Sequence, residues 1–344
     1  MKQPALRSQS TLYSIVITAA FVCFMNVVAV PASLFSQSFE TDRGEFSVLL
    51  DTPTAALMNI NNIVMWANDN GVLERNNYRQ SAGVVFPRGT STLVFEGGLV
   101  WGGYVRDGMT PELRTGGQAQ TVGTLAGRIT ESHLPENRYT SSVKVFRIRR
   151  DWKTADLRLD AAETFEVSIY DVTENDVSRL RAQYASDWLR WPWQKGAPYY
   201  ERNGIPGYQP DTSGSPTSDE PGLLEADQVA WLVCNDLTYA SRFSAAPAIG
   251  IEQQITCWAY AQPGMPDNVI FQQHKIIYKG TYRTPPTARI DSMYIAKWVD
   301  INVGSVIDDY VGCDPGNNFS YGYNSSEVDF EYNKYGLLPP AIGY

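Results

Sequence analysis

From Asp227 onwards the chain runs strand after strand with no helix between them, and this constrains its fold more than any other feature. Residues 229–233, 251–260, 269–278 and 290–299 are rich in β-branched and aromatic side chains and are bounded by Pro, Gly, Asn and Asp. Pro263, Gly264 and Pro266 lie between the second and third runs, so those two are expected to pair antiparallel across a long connection. Strands at this spacing predict an antiparallel β-sandwich over residues 226–344.

The first part of the chain is β-like too, but more broken. Residues 59–66 run into the turn Asn68-Asp69-Asn70-Gly71, and residues 92–95 lead into Gly97-Gly98-Leu99-Val100-Trp101-Gly102-Gly103. No Lys-Ser/Thr and no helix pattern follow those glycines. They are therefore read as close backbone approach around a buried Trp101, not as a phosphate cradle. Residues 143–149 make a further strand. Residues 156–166 are helix-compatible, and a second helix starts at Thr173, with Asp176 three residues on as a capping partner. Val177, Leu180, Tyr184, Trp188 and Trp191 recur at helical spacing and face the core; Pro192 ends the helix. The fold class is thus mainly β with a small helical insertion. It divides into an N-terminal β-rich domain (37–150), a helical and aromatic connector (151–225) and the sandwich domain (226–344).

Residues 1–36 read as an export signal. Lys2 and Arg7 precede an apolar run over residues 12–30, and Val30-Pro31-Ala32 offers small residues for cleavage, which places a mature N-terminus near Ser33 or Gln37. The run is long for a signal peptide, so an uncleaved membrane anchor is the alternative. No other stretch has the length to span a bilayer, so contact with a membrane is expected only through this segment. Net charge is −9, which repels polyanions, so nucleic acid is not expected as a partner. Cys234, Cys257 and Cys313 lie beyond the signal. Cys234 and Cys257 are either paired or buried and reduced, and no C-x-x-C or zinc spacing occurs.

Two stretches carry chemistry. Between Trp298 and Asn324, Asp300, Asn302, Asp308, Asp309 and Asp314 crowd onto a loop bent by Gly304 and Gly312. Oxygen side chains on a glycine-bent loop suit Ca²⁺, which takes six to eight oxygen ligands. Set against this is a solvated acidic turn. The second stretch is Trp191-Pro192-Trp193, whose rings either stack on a sugar or pin a long loop to the fold. No nucleophile elbow appears, and His133 and His274 are too few for a metalloprotease motif.

The ordered text Ala226-Asp227-Gln228-Val229-Ala230-Trp231, Gly250-Ile251-Glu252, Trp258-Ala259-Tyr260, Ile276-Ile277-Tyr278-Lys279-Gly280, Asp291-Ser292-Met293-Tyr294 and Leu338-Pro339-Pro340-Ala341-Ile342-Gly343-Tyr344, with the acidic loop between the last two, carries a resemblance. It resembles the N-terminal β-rich region of large secreted or surface proteins of the type IX (gliding-bacterium) secretion system. Leu99-Val100-Trp101-Gly102-Gly103 and Arg114-Thr115-Gly116-Gly117-Gln118 extend the likeness into the first half. The resemblance brings no catalytic residues. The family's loop reads Asp-x-Asp-x-Gly, and Asn302 stands at the second acid here. Family members continue past the Pro-Pro-Ala text towards a sorting domain, so the resemblance implies a chain truncated at its C-terminal end. The expected function is a secreted or cell-surface structural or adhesion module with a calcium-stabilised loop and no catalysis, meeting a surface partner or a glycan. A carbohydrate-binding module is the alternative, and a secreted hydrolase a more distant one.

Overall fold

The structure is a computed structural model that describes residues 55–211, 215 and 217–344. The expected export signal lies outside the described residues. The described residues, from Ala55 to Tyr344, belong to one compact unit.

In chain order the first strands are β1 (Ala55–Met58), β2 (Val64–Asn68), β3 (Arg75–Asn76), β4 (Ser81–Ala82), β5 (Val84–Val85), the long β6 (Thr92–Arg106), β7 (Leu113–Gly117), β8 (Leu125–Ala126) and β9 (Phe146–Arg149). Helices α1 (Arg158–Thr164) and α2 (Glu174–Leu189) follow, then the short β10 (Tyr199–Tyr200) and β11 (Glu220–Pro221). The remainder comprises β12 (Gln228–Asn235), α3 (Ala240–Ser244), β13 (Ile251–Ala259), β14 (Phe271–Tyr278), β15 (Arg289–Ile301), β16 (Asp309–Asp314), β17 (Phe319–Asn324), α4 (Phe330–Asn333) and β18 (Ala341–Gly343). The fold is mainly β, as expected.

Two sheets face each other in a sandwich-like arrangement. One runs β1-β2-β5-β6-β15, with β7 also on β6; the other runs β14-β13-β12, with β8 and β9 both on β12. Met58, Met65, Leu93 and Val94 of the first sheet pack against Ala230, Leu232, Ile255 and Cys257 of the second. β12 is buried along its whole length, which explains its unbroken apolar run. β14 alternates exposed and half-buried residues, as an edge strand does. The expected pairing of β13 with β14 is present, from Ile251 opposite Tyr278 to Trp258 opposite Phe271.

The division into domains 37–150 and 226–344 does not survive. β15, from the expected second domain, pairs with β6, from the first, between Arg289–Arg106 and Ile301–Val94. The main core likewise draws on both parts of the chain. The 226–344 stretch therefore contributes one sheet and a strand of the other, and is not a sandwich by itself.

The helical insertion forms as the sequence predicts. The Thr173 hydroxyl accepts from the Asp176 N–H, and the Asp176 carboxylate accepts from the Thr173 N–H, closing a capping box. Leu180 and Tyr184 are buried against Trp152, Leu157 and Ala161. Cys234 and Cys257 are both buried and free. In the β12–β13 register Cys257 opposes Ala230 and Cys234 opposes Gln253, so the two sulfurs lie at different levels of the sheet. Among the described residues no helix is long and apolar enough to cross a membrane.

Candidate functional site: an oxygen-lined loop

The acidic loop follows directly from the end of β15. Val299 and Ile301 turn into the core and Val303 is fully buried there, so the intervening Asn302 points to the opposite side. The N–H groups of Asn302 and Gly304 donate to the carbonyls of Leu93 (3.1 Å) and Thr92 (2.9 Å), tying the loop to the start of β6. Gly304 then turns the chain at φ +70°. A Cβ there would sit 2.1 Å from Asp329 Oδ1, so only glycine lets that carboxylate come so close. Asp329 is buried and caps α4. Its Oδ1 accepts from the N–H groups of Glu331 and Tyr332 (both 2.9 Å), and its Oδ2 from the Ser305 N–H (2.9 Å).

Asp308 and Asp309 open the β16–β17 hairpin, where Asp309 stands directly opposite Asn324. The Ser325 N–H donates to the Asp308 carbonyl at 2.8 Å, and the Val303 N–H donates to Asp309 Oδ2 at 3.0 Å. These bonds gather Asn302, Asp308, Asp309 and Asn324 around one end of the hairpin. Each of the four has a buried Oδ1 with no hydrogen-bond partner. Asn324 is only 7% exposed, and its amide nitrogen is already engaged by the Ser326 carbonyl at 3.1 Å. Leaving a buried polar atom unpaired costs about 1–3 kcal/mol, so four such oxygens on residues of one end of the hairpin call for a donor or a cation. Burial pushes the Asp309 carboxyl up to about 6, against the Val303 N–H bond that favours ionisation. The charges of Asp308 and Asp329 add to the rise.

The structure redraws the set expected from sequence. Asn302, Asp308 and Asp309 come together, but Asp314 does not. It lies at the far end of the hairpin opposite Phe319, where it accepts from the N–H groups of Gly316 (3.0 Å) and Asn317 (3.3 Å) and from the Asn317 amide (2.8 Å). Those bonds, the Asn317 amide foremost, hold its carboxyl below the usual range, so its task is to cap a turn. Asp300 sits opposite Glu96 on β6, and burial alone raises its carboxyl. Asn324 was not among the expected ligands. Its place is set by hairpin register, which local text does not reveal.

Trp191 and Trp193 do not form a paired platform. Trp191 is 2% exposed, its indole N–H donates to the Pro198 carbonyl at 2.6 Å, and its ring packs edge-on against Phe146. Trp193 is 36% exposed and meets Tyr199 edge-on. His274 lies beside Gln253 (3.0 Å), and burial followed by the Lys297 charge lowers it to about 4, so it is neutral near pH 7.

Among the described residues no group of three or more His, Cys, Asp or Glu side chains is arranged to hold a metal ion. The loop's oxygens come from two carboxylates and two amides, a donor set that fits a hard cation and offers nothing to a thiophilic one. No family model, no curated protein and no solved structure matches this chain.

Proposed function

We propose that this chain is a non-catalytic structural or adhesion module, secreted or displayed at a cell surface, and that the loop between β15 and β16 binds calcium. The observation that carries the metal is the set of four buried side-chain oxygens, on Asn302, Asp308, Asp309 and Asn324, that lack any partner. A divalent cation would satisfy all four and relieve the repulsion among Asp308, Asp309 and Asp329. Backbone carbonyls and water would complete the shell, as is usual for Ca²⁺. The task would be mechanical: the cation pins the β16–β17 hairpin to the end of β15. The resemblance to type IX-exported surface proteins supports the extracellular setting, where calcium is millimolar and weak sites are filled.

Calorimetric titration of the metal-free protein with CaCl₂ and with MgCl₂ tests the reading. One calcium site with Kd of about 0.1–1 mM is expected, with magnesium weaker because it demands tighter octahedral geometry. No heat of binding up to 10-fold above that range would refute it. Sequencing the N-terminus of protein from its native host tests export separately; a start near Ser33 or Gln37 is expected.

A further inference from the structure

β16, β17 and β18 form a three-stranded antiparallel sheet with β17 in the middle. Its inner face is fixed by Gly322, where an added Cβ would meet Ile301 Cδ1 at 2.4 Å, and by Ile342, which packs on the main core. Alternation therefore turns Phe319, Tyr321 and Tyr323 outwards in one row. Their rings are close to parallel: Phe319 and Tyr321 are 5.9 Å apart at 24°, and Tyr321 and Tyr323 are 6.0 Å apart at 28°.

Two of the rings also reach across the sheet onto neighbouring strands. A Cβ added at Gly312 on β16 would stand 2.5 Å from Tyr321 Cζ, and one at Gly343 on β18 would stand 2.3 Å from Phe319 Cζ. Phe319 and Tyr321 thus each reach over a neighbouring strand at a position that only glycine leaves free. Phe319 is 44% exposed, Tyr323 41% and Tyr310, which closes the end of the row edge-on to Tyr323, 57%. Three near-parallel aromatic rings side by side on one face of a sheet suit a row of pyranose rings. The C–H face of a sugar packs on the ring face, and its equatorial hydroxyls reach the polar groups at the edges, here the tyrosine hydroxyls. Charge narrows the ligand. β16, β17 and β18 contain no Lys or Arg, and Asp314 stands beside Phe319, so an acidic glycan is repelled.

We propose that this strip binds a neutral oligosaccharide chain, lying along β17 across Phe319, Tyr321 and Tyr323. It is a glycan platform at a different place from the tryptophan pair that composition brings forward. The strip is on the outer face of the hairpin whose inner side carries Asp309 and Asn324, so it does not depend on the metal for its chemistry.

The test is calorimetry or affinity electrophoresis with hexasaccharides of β-1,4-glucose, β-1,4-N-acetylglucosamine and α-1,4-glucose, with oligogalacturonate as the acidic control. Each is run in calcium and in chelator, so that failure of the platform is distinguished from failure of the metal site. Binding of at least one neutral hexasaccharide is expected, weakened about five- to tenfold by Phe319→Ala or by Tyr323→Ala and abolished by the pair, with the denaturation midpoint in calcium retained. Tyr323→Leu keeps apolar area but removes the ring face; it should weaken binding as Tyr323→Ala does, and guards against an alanine variant that fails to fold. Binding of none of the neutral sugars overturns the proposal. So does tighter binding of oligogalacturonate, wild-type affinity in Tyr323→Leu, or self-association through the strip without sugar binding.

Discussion

Replacing Asp308 by Asn should change the sign of its effect on stability with the metal content of the buffer. Asp308 Oδ1 is buried without a partner, and its charge adds to those that raise Asp309. In chelator the carboxylate therefore only repels. At the dielectric of bulk water two like charges about 4 Å apart repel by about 1 kcal/mol. Asp308→Asn keeps the shape and removes that term, so the variant should be more stable than wild type without metal by up to about 1 kcal/mol. In 1 mM calcium the wild type gains RT ln(1 + [Ca]/Kd), about 0.4–1.4 kcal/mol for a Kd between 1 and 0.1 mM. The variant, with one formal charge fewer at the site, should gain little of this, and the order of the two proteins should close or reverse. Urea midpoints at equal m-value, in 1 mM CaCl₂ and in chelator, measure the crossing. A variant less stable than wild type by the same amount in both buffers would show that Asp308 serves ordinary packing, and the metal argument would fail.

Asp314→Ala should leave the calcium response unchanged and only modestly lower the urea midpoint through the lost turn bonds. Gly304→Ala should cost more, at least about 1–3 kcal/mol, because it forces both a left-handed φ and a clash with the Asp329 carboxylate; a neutral result would mean that the loop bends elsewhere. Burial raises the Asp160 carboxyl, but the Arg147 guanidinium, the Tyr184 hydroxyl and the Asn59 amide outweigh it and hold it at about 2. A depressed carboxyl stabilises above its unfolded value of 3.8 and loses that support as pH falls through 2, so about 2 kcal/mol should vanish between pH 4 and pH 2. Asp160→Asn should flatten that slope in acid denaturation followed by circular dichroism.

Period-two patterning made the later strands legible, and helical spacing plus a capping pair located α2. Pattern tells which face of a strand is buried, not which strand lies beside it. For that reason the text alone sets β15 beside its sequence neighbours, and its partnership with β6 shows only in three dimensions. The same limit governs the site. Asn302, Asp308 and Asp309 stood out because the loop itself concentrates oxygens. Asn324, fifteen residues beyond Asp309, joins them through a hairpin register that no local signal specifies. Trp191 illustrates a different limit: its helical spacing from Leu180 and Tyr184 indicated the core, and its neighbour Trp193 indicated a surface. Only packing decides between those two readings. The alternation of Phe319, Tyr321 and Tyr323 is plain in the text, but the glycines that make room for the Phe319 and Tyr321 rings are on other strands.

The pairing of β6 with β15 also governs how such a chain comes into being. Arg106 Nε donates to Asp291 Oδ2 at 3.0 Å, joining residues 185 positions apart. Closing a loop of that size carries its entropy cost before any contact rewards it, and chains dominated by such distant pairings fold slowly. On the ribosome, β6 emerges well before its edge partner exists, and one side of a fifteen-residue strand waits unpaired until residue 301 has been made. A chaperone or an export machine meeting the nascent chain would therefore find a long, sticky ribbon instead of a finished half, and a polypeptide cut at residue 225 should yield two aggregating pieces.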